Sequence, residues 1–260
     1  MTMSIRRWVN LVNPLGWLTI AAMVGLWQFV VGAKIIHFRY TPPPSQVVSG
    51  FSSLVSSGAM GAAVWHTTKV TLIAAGIATV AGVLLGVVVA LSPPVRLFIE
   101  GTIDFLRTVP VVALMPVALL IWGTSAKSEI IVASYSALWP VTLNTTAGVR
   151  SVHPLKRDVA RTFRLSRSRT LSTIVLPSAT PAILVGLRLS IINALVVAIV
   201  AEMLINPQGI GYGLVFTEGA LRPNETWAYA IVAGLMGLIL NVLLLQVVRR
   251  VGANMGTAKR

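Results

Sequence analysis

Apolar runs long enough to cross a bilayer recur along this chain, and they constrain its fold more than any other feature. A helix rises about 1.5 Å per residue, so about 20 apolar residues, with a usual range of about 17–25, cover the hydrocarbon layer. Such runs stand at Leu15–Val31, Val70–Leu91, Ile130–Ala147, Ala182–Ile205 and Trp227–Val248. Val109–Trp122 is a sixth and weaker candidate: about 14 residues span only about 21 Å, and Pro110 and Pro116 interrupt it. Lipid offers no partner to backbone N–H and C=O groups, so the runs are expected to be helices. With a mean hydropathy of +0.83, the expectation is an all-α membrane protein of six transmembrane helices, one domain over residues 1–260.

The net charge of +14 would suggest nucleic acid in a soluble protein. In a membrane protein the same excess collects in cytoplasmic loops. Six spans with both termini inside put fifteen of the 21 Lys and Arg on the cytoplasmic side, from Arg6 and Arg7 through to Lys259 and Arg260. Lys34, Arg39, Lys69, Lys127 and Arg222 fall outside, and Arg188 lies within a span. No basic stripe with interleaved aromatics occurs, so no nucleic-acid partner is expected.

Arg6 and Arg7 precede the first run, and Val31-Gly32-Ala33 loosely resembles a cleavage site. The run is longer than the core of a signal peptide, about 7–15 residues, and is read as a retained span. Pro42-Pro43-Pro44 breaks the chain after it, and Ser45 is placed to cap a helix with apolar positions Val47, Val48, Phe51, Leu54 and Val55. Asn206-Pro207-Gln208-Gly209 reads as a turn ending the fifth span.

Chemistry is sparse. There is no cysteine, which removes disulfides and thiolate sites. His37, His66 and His153 are scattered without ligand spacing, and packing or interfacial roles are expected of them. Gly209-x-Gly211-x-Gly213 lacks the strand-turn-helix setting of a phosphate loop, and no Walker sequence occurs. Neither a metal site nor a catalytic group is expected.

Ionisable groups within a bilayer default to functional or pairing roles. Arg188 and Glu202 share one stripe of the fifth span but lie about 21 Å apart along it, too far to pair. Two roles fit Arg188: attracting an anionic solute, or binding carbonyls or a carboxylate of a neighbouring helix. Glu202 is placed near enough to the outer surface to be hydrated. Asn193 lies nearly opposite Glu202, on a face with Ser190, while Ser134, Ser136, Thr142, Asn144 and Thr145 give the fourth span a polar side. Polar faces line pathways and also hold helices together. Ser134, Asn144, Arg188, Asn193 and Glu202 are the candidate lining residues.

The polar insert at about 150–177 stands apart. Leu155, Val159 and Phe163 recur every fourth residue, with Lys156, Arg157, Arg161 and Arg164 on the other faces, and a second short helix is expected at Thr170–Leu176. Such a basic helix can rest on anionic lipid heads, or enter a groove on a soluble partner.

This insert resembles the signature of permease subunits of type I ATP-binding cassette importers: E-A-A, three residues, Gly, nine residues, Ile, two residues, Pro. Asp158-Val159-Ala160, Arg164, Ile174 and Pro177 stand at those places. Leu106-Arg107-Thr108-Val109-Pro110, Pro42–Val47, Pro181–Arg188 and Gly209-Ile210-Gly211-Tyr212 are similar too, and together resemble the nitrate, sulfonate and taurine branch. Two departures stand out. Asp158 shortens the acidic arm, and Arg164 replaces the glycine at the bend, so that the bend is expected to shift, turn helical or place Arg164 against the partner.

The resemblance implies the type I permease fold with cytoplasmic coupling helices, in a bacterial inner membrane. Two permeases, identical or different, would work with two cytoplasmic ATPases and an extracytoplasmic solute-binding protein. ATP and Mg would be bound by the ATPases and no cofactor by this chain. Asp158, Ala160, Phe163, Arg164 and Leu165 would carry the coupling, and the solute would be a small anion such as a sulfonate, taurine or nitrate. The rival class is a free-standing channel or secondary transporter; such carriers usually show internal repeats, and none is evident.

Overall fold

A computed structural model describes residues 14–35 and 40–254, which are helical with short connections and contain no strand. Among the described residues eleven α-helices follow one another: α1 Pro14–Gly32, α2 Pro44–Ser56, α3 Ala59–Leu91, α4 Pro93–Thr108, α5 Val111–Trp122, α6 Ala126–Arg150, α7 Pro154–Thr162, α8 Arg167–Thr170, α9 Leu176–Leu204, α10 Gly209–Gly219 and α11 Pro223–Asn254. A π-helical turn, Leu171–Val175, joins α8 to α9. Arg6, Arg7, His37, Arg39, Lys259 and Arg260 lie outside the described residues, and the expectations that rest on them stand as such.

By length and composition four helical stretches among the described residues can cross a membrane: Pro14–Gly32, Ala59–Leu91, Arg167–Leu204 and Pro223–Val248. A fifth arises if α4 and α5, bent by 86°, count as one span. The bend sits at Val109-Pro110. Val109 is extended (φ −62°, ψ 122°), as a residue before proline prefers, and Pro110 N-caps α5. The Tyr135 hydroxyl donates to Leu106 O at 2.6 Å and so satisfies a last-turn carbonyl of α4. Helix α6 contains Ile130–Ala147 but is more polar than the others. Its polar groups are covered by protein instead of lipid: Ser128, Glu129, Thr142 and Thr145 are all buried.

Two compact units make up the chain: Met1–Met60 with Leu214–Ile231, and Gly61–Gly213 with Val232–Arg260. In the first, Trp27 and Trp227 pack with centroids 5.2 Å apart, and the Trp227 indole donates to Tyr40 O. Gly50 is a close approach: a Cβ there would stand 2.5 Å from Asn224 O. Ser45 does not cap α2. Pro43 holds that position and the Ser45 N–H donates to Gln28 Oε1. Val47 and Leu54 are buried, while Val48, Phe51 and Val55 are exposed.

In the second unit α6 lies between α3 and α9. A Cβ on Gly82 would meet Val141, and one on Gly86 would meet Thr142 O and Thr145, each at 2.7 Å. Gly186 of α9 is similarly close to Pro140 O and Asn144 at 3.0 Å. Small residues four apart let backbones approach in lipid, where dispersion and polar contacts replace the hydrophobic effect. Ala74, Ala75, Ala78, Ala133, Ala137 and Ala194 fill the seam with Ile191 and Leu244.

Candidate functional site

Helix α7 follows α6 after His153, whose ring accepts from the Leu155 N–H and caps it, with Pro154 in the first turn. Two basic side chains fix its roll. Arg157 Nη2 donates to Val149 O at 2.9 Å, and Lys156 Nζ donates to Ser178 Oγ at 3.0 Å. With those anchored inward, the apolar stripe faces out: Leu155 is 65%, Val159 44% and Phe163 74% exposed. A groove of about 500 Å³ lies alongside, lined by Val159, Thr173, Ile174 and Pro177 among others.

The five predicted coupling residues fall together at the end of α7. Asp158 is exposed and pairs with Arg161 at 3.2 Å, one turn on. Ala160 is buried. Phe163 is the C-cap, and Arg164 follows with φ +49°, in the left-handed region. The Leu165 N–H reaches Ala160 O at 3.0 Å and the Arg164 N–H reaches Arg161 O at 2.9 Å. These two bonds define a Schellman motif with Arg164 at the position where glycine is usual. The bend neither shifts nor turns helical: arginine adopts the glycine conformation, held by the hydrogen bonds on either side. Lys34 and Leu221 do the same at the ends of α1 and α10.

The second short helix differs from expectation. Ser166 caps α8, accepting from the Arg169 N–H, and the helix runs through the π-turn into α9 without a break. The wide turn has a local cause. Pro177 has no N–H to donate and needs room for its ring; the π-turn supplies that room, with the Leu176 N–H reaching back to Leu171 O.

The candidate lining residues disperse. Ser134 Oγ donates to Ala74 O of α3, a bond between helices, and Asn144 Nδ2 donates to Pro140 O one turn back in α6 itself. Arg188 Nε donates to Asn241 Oδ1 of α11 at 2.8 Å, an amide partner that sequence reasoning had not named. Asn193 is exposed although Ser190, expected on its face, is buried. Among the described residues none of the five bonds to another.

Glu202 is not hydrated; it is 1% exposed. Its Oε2 accepts from the Gly211 N–H at 2.9 Å. The Asn206–Gly209 turn leads straight into α10. Gly209 has φ +90°, and a Cβ on Gly211 would overlap Ile199 O. Around Glu202 the fold gathers His66 of α3, Glu129 of α6 and Asn206, all buried. His66 Nε2 stands 3.1 Å from Glu129 Oε2, and the Asn206 amide donates to Glu129 Oε1. Sequence reasoning missed this cluster because its members come from separate helices; the one available signal was charge at the ends of apolar runs.

Fold and site together define a helical membrane protein that exposes a short basic helix with an apolar stripe. The chain belongs to the family described as the binding-protein-dependent transport system inner membrane component, whose model matches residues 78–256. It is 30% identical over 199 residues to the taurine transport system permease protein TauC of Escherichia coli (strain K12), covering 75% of this chain and 72% of that one. It is 29% identical over 230 residues to the nitrate import permease protein NrtB of Leptolyngbya laminosa, covering 85% and 81%. The fold matches a chain of the MetNI methionine ABC transporter in an inward-facing conformation, with a TM-score of 0.67, 14% identity, and 75% and 97% of the two chains covered. The protein is thus the permease subunit of an ABC importer and not an enzyme; ATP hydrolysis belongs to a separate chain.

Proposed function

We propose that the chain forms, with a second permease subunit, the pathway for a small anion such as a sulfonate, taurine or nitrate delivered by an extracytoplasmic binding protein. The exposed stripe of α7 supports this reading most directly. Three large apolar side chains outside the spans, ringed by arginine and fixed in roll by Arg157 and Lys156, suit a groove on a soluble protein better than a lipid surface. A cytoplasmic ATPase is the occupant, contacting Phe163, Arg164 and Leu165. Asp158 and Ala160 shape that end of the helix, one pairing with Arg161 and the other accepting from Leu165.

The arrangement is six spans in a bacterial inner membrane with both termini cytoplasmic, α6 being the polar span shielded by its neighbours. ATP and Mg bind the ATPases. Closure of the ATPases moves α7 and switches the spans between inward- and outward-facing states, a rigid-body two-state change. The anion preference rests on the taurine and nitrate relatives. Native mass spectrometry of the gently solubilised complex tests the assembly: two ATPase subunits with two permeases support it, and a lone homo-oligomer supports a free-standing channel or carrier. Measuring which anions stimulate ATP hydrolysis by the reconstituted assembly then tests the solute.

A further inference from the structure

We propose that His66, Glu129 and Glu202 form a binding site for a divalent transition-metal cation of the zinc class, which ties together α3, α6 and α9 where α3 and α6 begin and α9 ends. One ligand-capable atom from each residue lies within 4.8 Å of the other two, and all three residues are buried. Ligands about 2.1 Å from one ion stand at most about 4.2 Å apart, so side-chain movements under about 1 Å close the set.

The hydrogen bonds leave one atom of each residue for a cation. Glu202 Oε2 takes the Gly211 N–H, whereas Oε1 has no hydrogen-bond partner although the residue is 1% exposed. Glu129 Oε1 takes the Asn206 amide, and its Oε2 faces His66 Nε2. The Asn206 Nδ2 also stands 3.4 Å from that Nε2. If Nε2 accepts from Asn206 it has no proton for Glu129 Oε2, and two lone pairs then face each other at 3.1 Å. A cation between them resolves that opposition and also satisfies Glu202 Oε1.

Nearby groups bear on the set. Lys69 is no counter-ion for the two carboxylates: it is exposed, with Nζ 5.5 Å from the centre of the Trp65 ring. One imidazole with two carboxylates suits Zn²⁺ and its neighbours better than Mg²⁺ or Ca²⁺, which favour all-oxygen shells. The low exposure marks a closed, structural site.

The test uses the full chain in detergent, purified with a histidine-free tag, stripped with chelator and titrated with Zn²⁺. Metal analysis after gel filtration is expected to give one zinc per chain, with a rise in melting temperature. His66→Gln and Glu129→Gln are expected to weaken binding more than about tenfold. Glu202→Gln keeps an oxygen for the Gly211 N–H, so it preserves the fold while weakening the site by a similar factor. Should the other variants fail to fold, wild type and Glu202→Gln decide the matter. Wild type holding no more zinc than Glu202→Gln, or melting unchanged by Zn²⁺, overturns the proposal and leaves a shared proton as what joins these groups. No uptake is measured, so the outcome is independent of the transport reading.

Discussion

The Leu165 N–H donates to the Ala160 carbonyl at 3.0 Å, and the ring this bond closes holds Arg164 at φ +49°. A left-handed conformation costs a non-glycine residue about 1–2 kcal/mol. Here two flanking hydrogen bonds and the buried Ala160 over-determine it. The loop that carries Phe163 outward is therefore stiff, which suits a part that transmits a push.

Arg164→Gly is expected to stabilise the protein by up to about 1 kcal/mol, because glycine enters the left-handed region without the Cβ penalty. Arg164→Val is expected to destabilise it. Thermal unfolding of the full chain in detergent reads both. If Arg164 also touches the ATPase, uptake falls in Arg164→Gly while stability rises, which separates docking from folding.

The approach of α3 to α6 makes a contrasting pair of glycine variants. Gly86→Ala places a Cβ 2.7 Å from Thr142 O, a backbone atom that cannot step aside, and is expected to cost about 1–3 kcal/mol. Gly76, in the same helix, has nothing within 4 Å of a Cβ, so Gly76→Ala is expected to be neutral or stabilising by up to about 1 kcal/mol. Equal melting temperatures for the two variants would contradict the packing.

Arg188 and Asn241 are joined at 2.8 Å. If the arginine is structural, Arg188→Leu and Asn241→Leu each lower stability by about 1–3 kcal/mol, and the double variant loses less than their sum. A double-mutant cycle on thermal unfolding checks this. A solute-facing Arg188 would instead raise the KM for uptake on substitution, with Asn241→Leu leaving KM unchanged.

Gly211 lies so close to α9 that any side chain overlaps Ile199 O. Gly211→Ala is expected to displace the start of α10, lose the bond from its N–H to Glu202 and destabilise by about 2 kcal/mol or more. Chemical denaturation of wild type and variant in detergent checks the figure.

Long uninterrupted apolar runs were readable because lipid demands them: Leu15–Val31 lies within α1 and Val70–Leu91 within α3. The Leu155, Val159 and Phe163 stripe was readable for a similar reason, since a 3.6-residue period survives in a nine-residue helix. Helix α4 was not, because Arg96, Glu100, Asp104 and Arg107 break its apolar positions into what looks like a loop. Helix α10 was hidden by glycines that serve close packing at its start, where a turn was expected. Glu202 looked hydrated because only distance along its own helix could be counted. Its burial depends on His66, Glu129 and Gly211, which other parts of the chain bring in. The polar side of α6 admitted two readings from sequence; Thr142 and Thr145 turn out to sit against Gly86.

Phe163→Asp tests the central claim most directly, because it alters one exposed side chain of α7 and no buried contact. The variant is expected to insert at the wild-type level, to lose co-purification of the ATPase, and to lower uptake more than about tenfold, the loss of an interface anchor worth about 2 kcal/mol. Uptake and ATPase co-purification that both survive in a correctly inserted Phe163→Asp protein would contradict it.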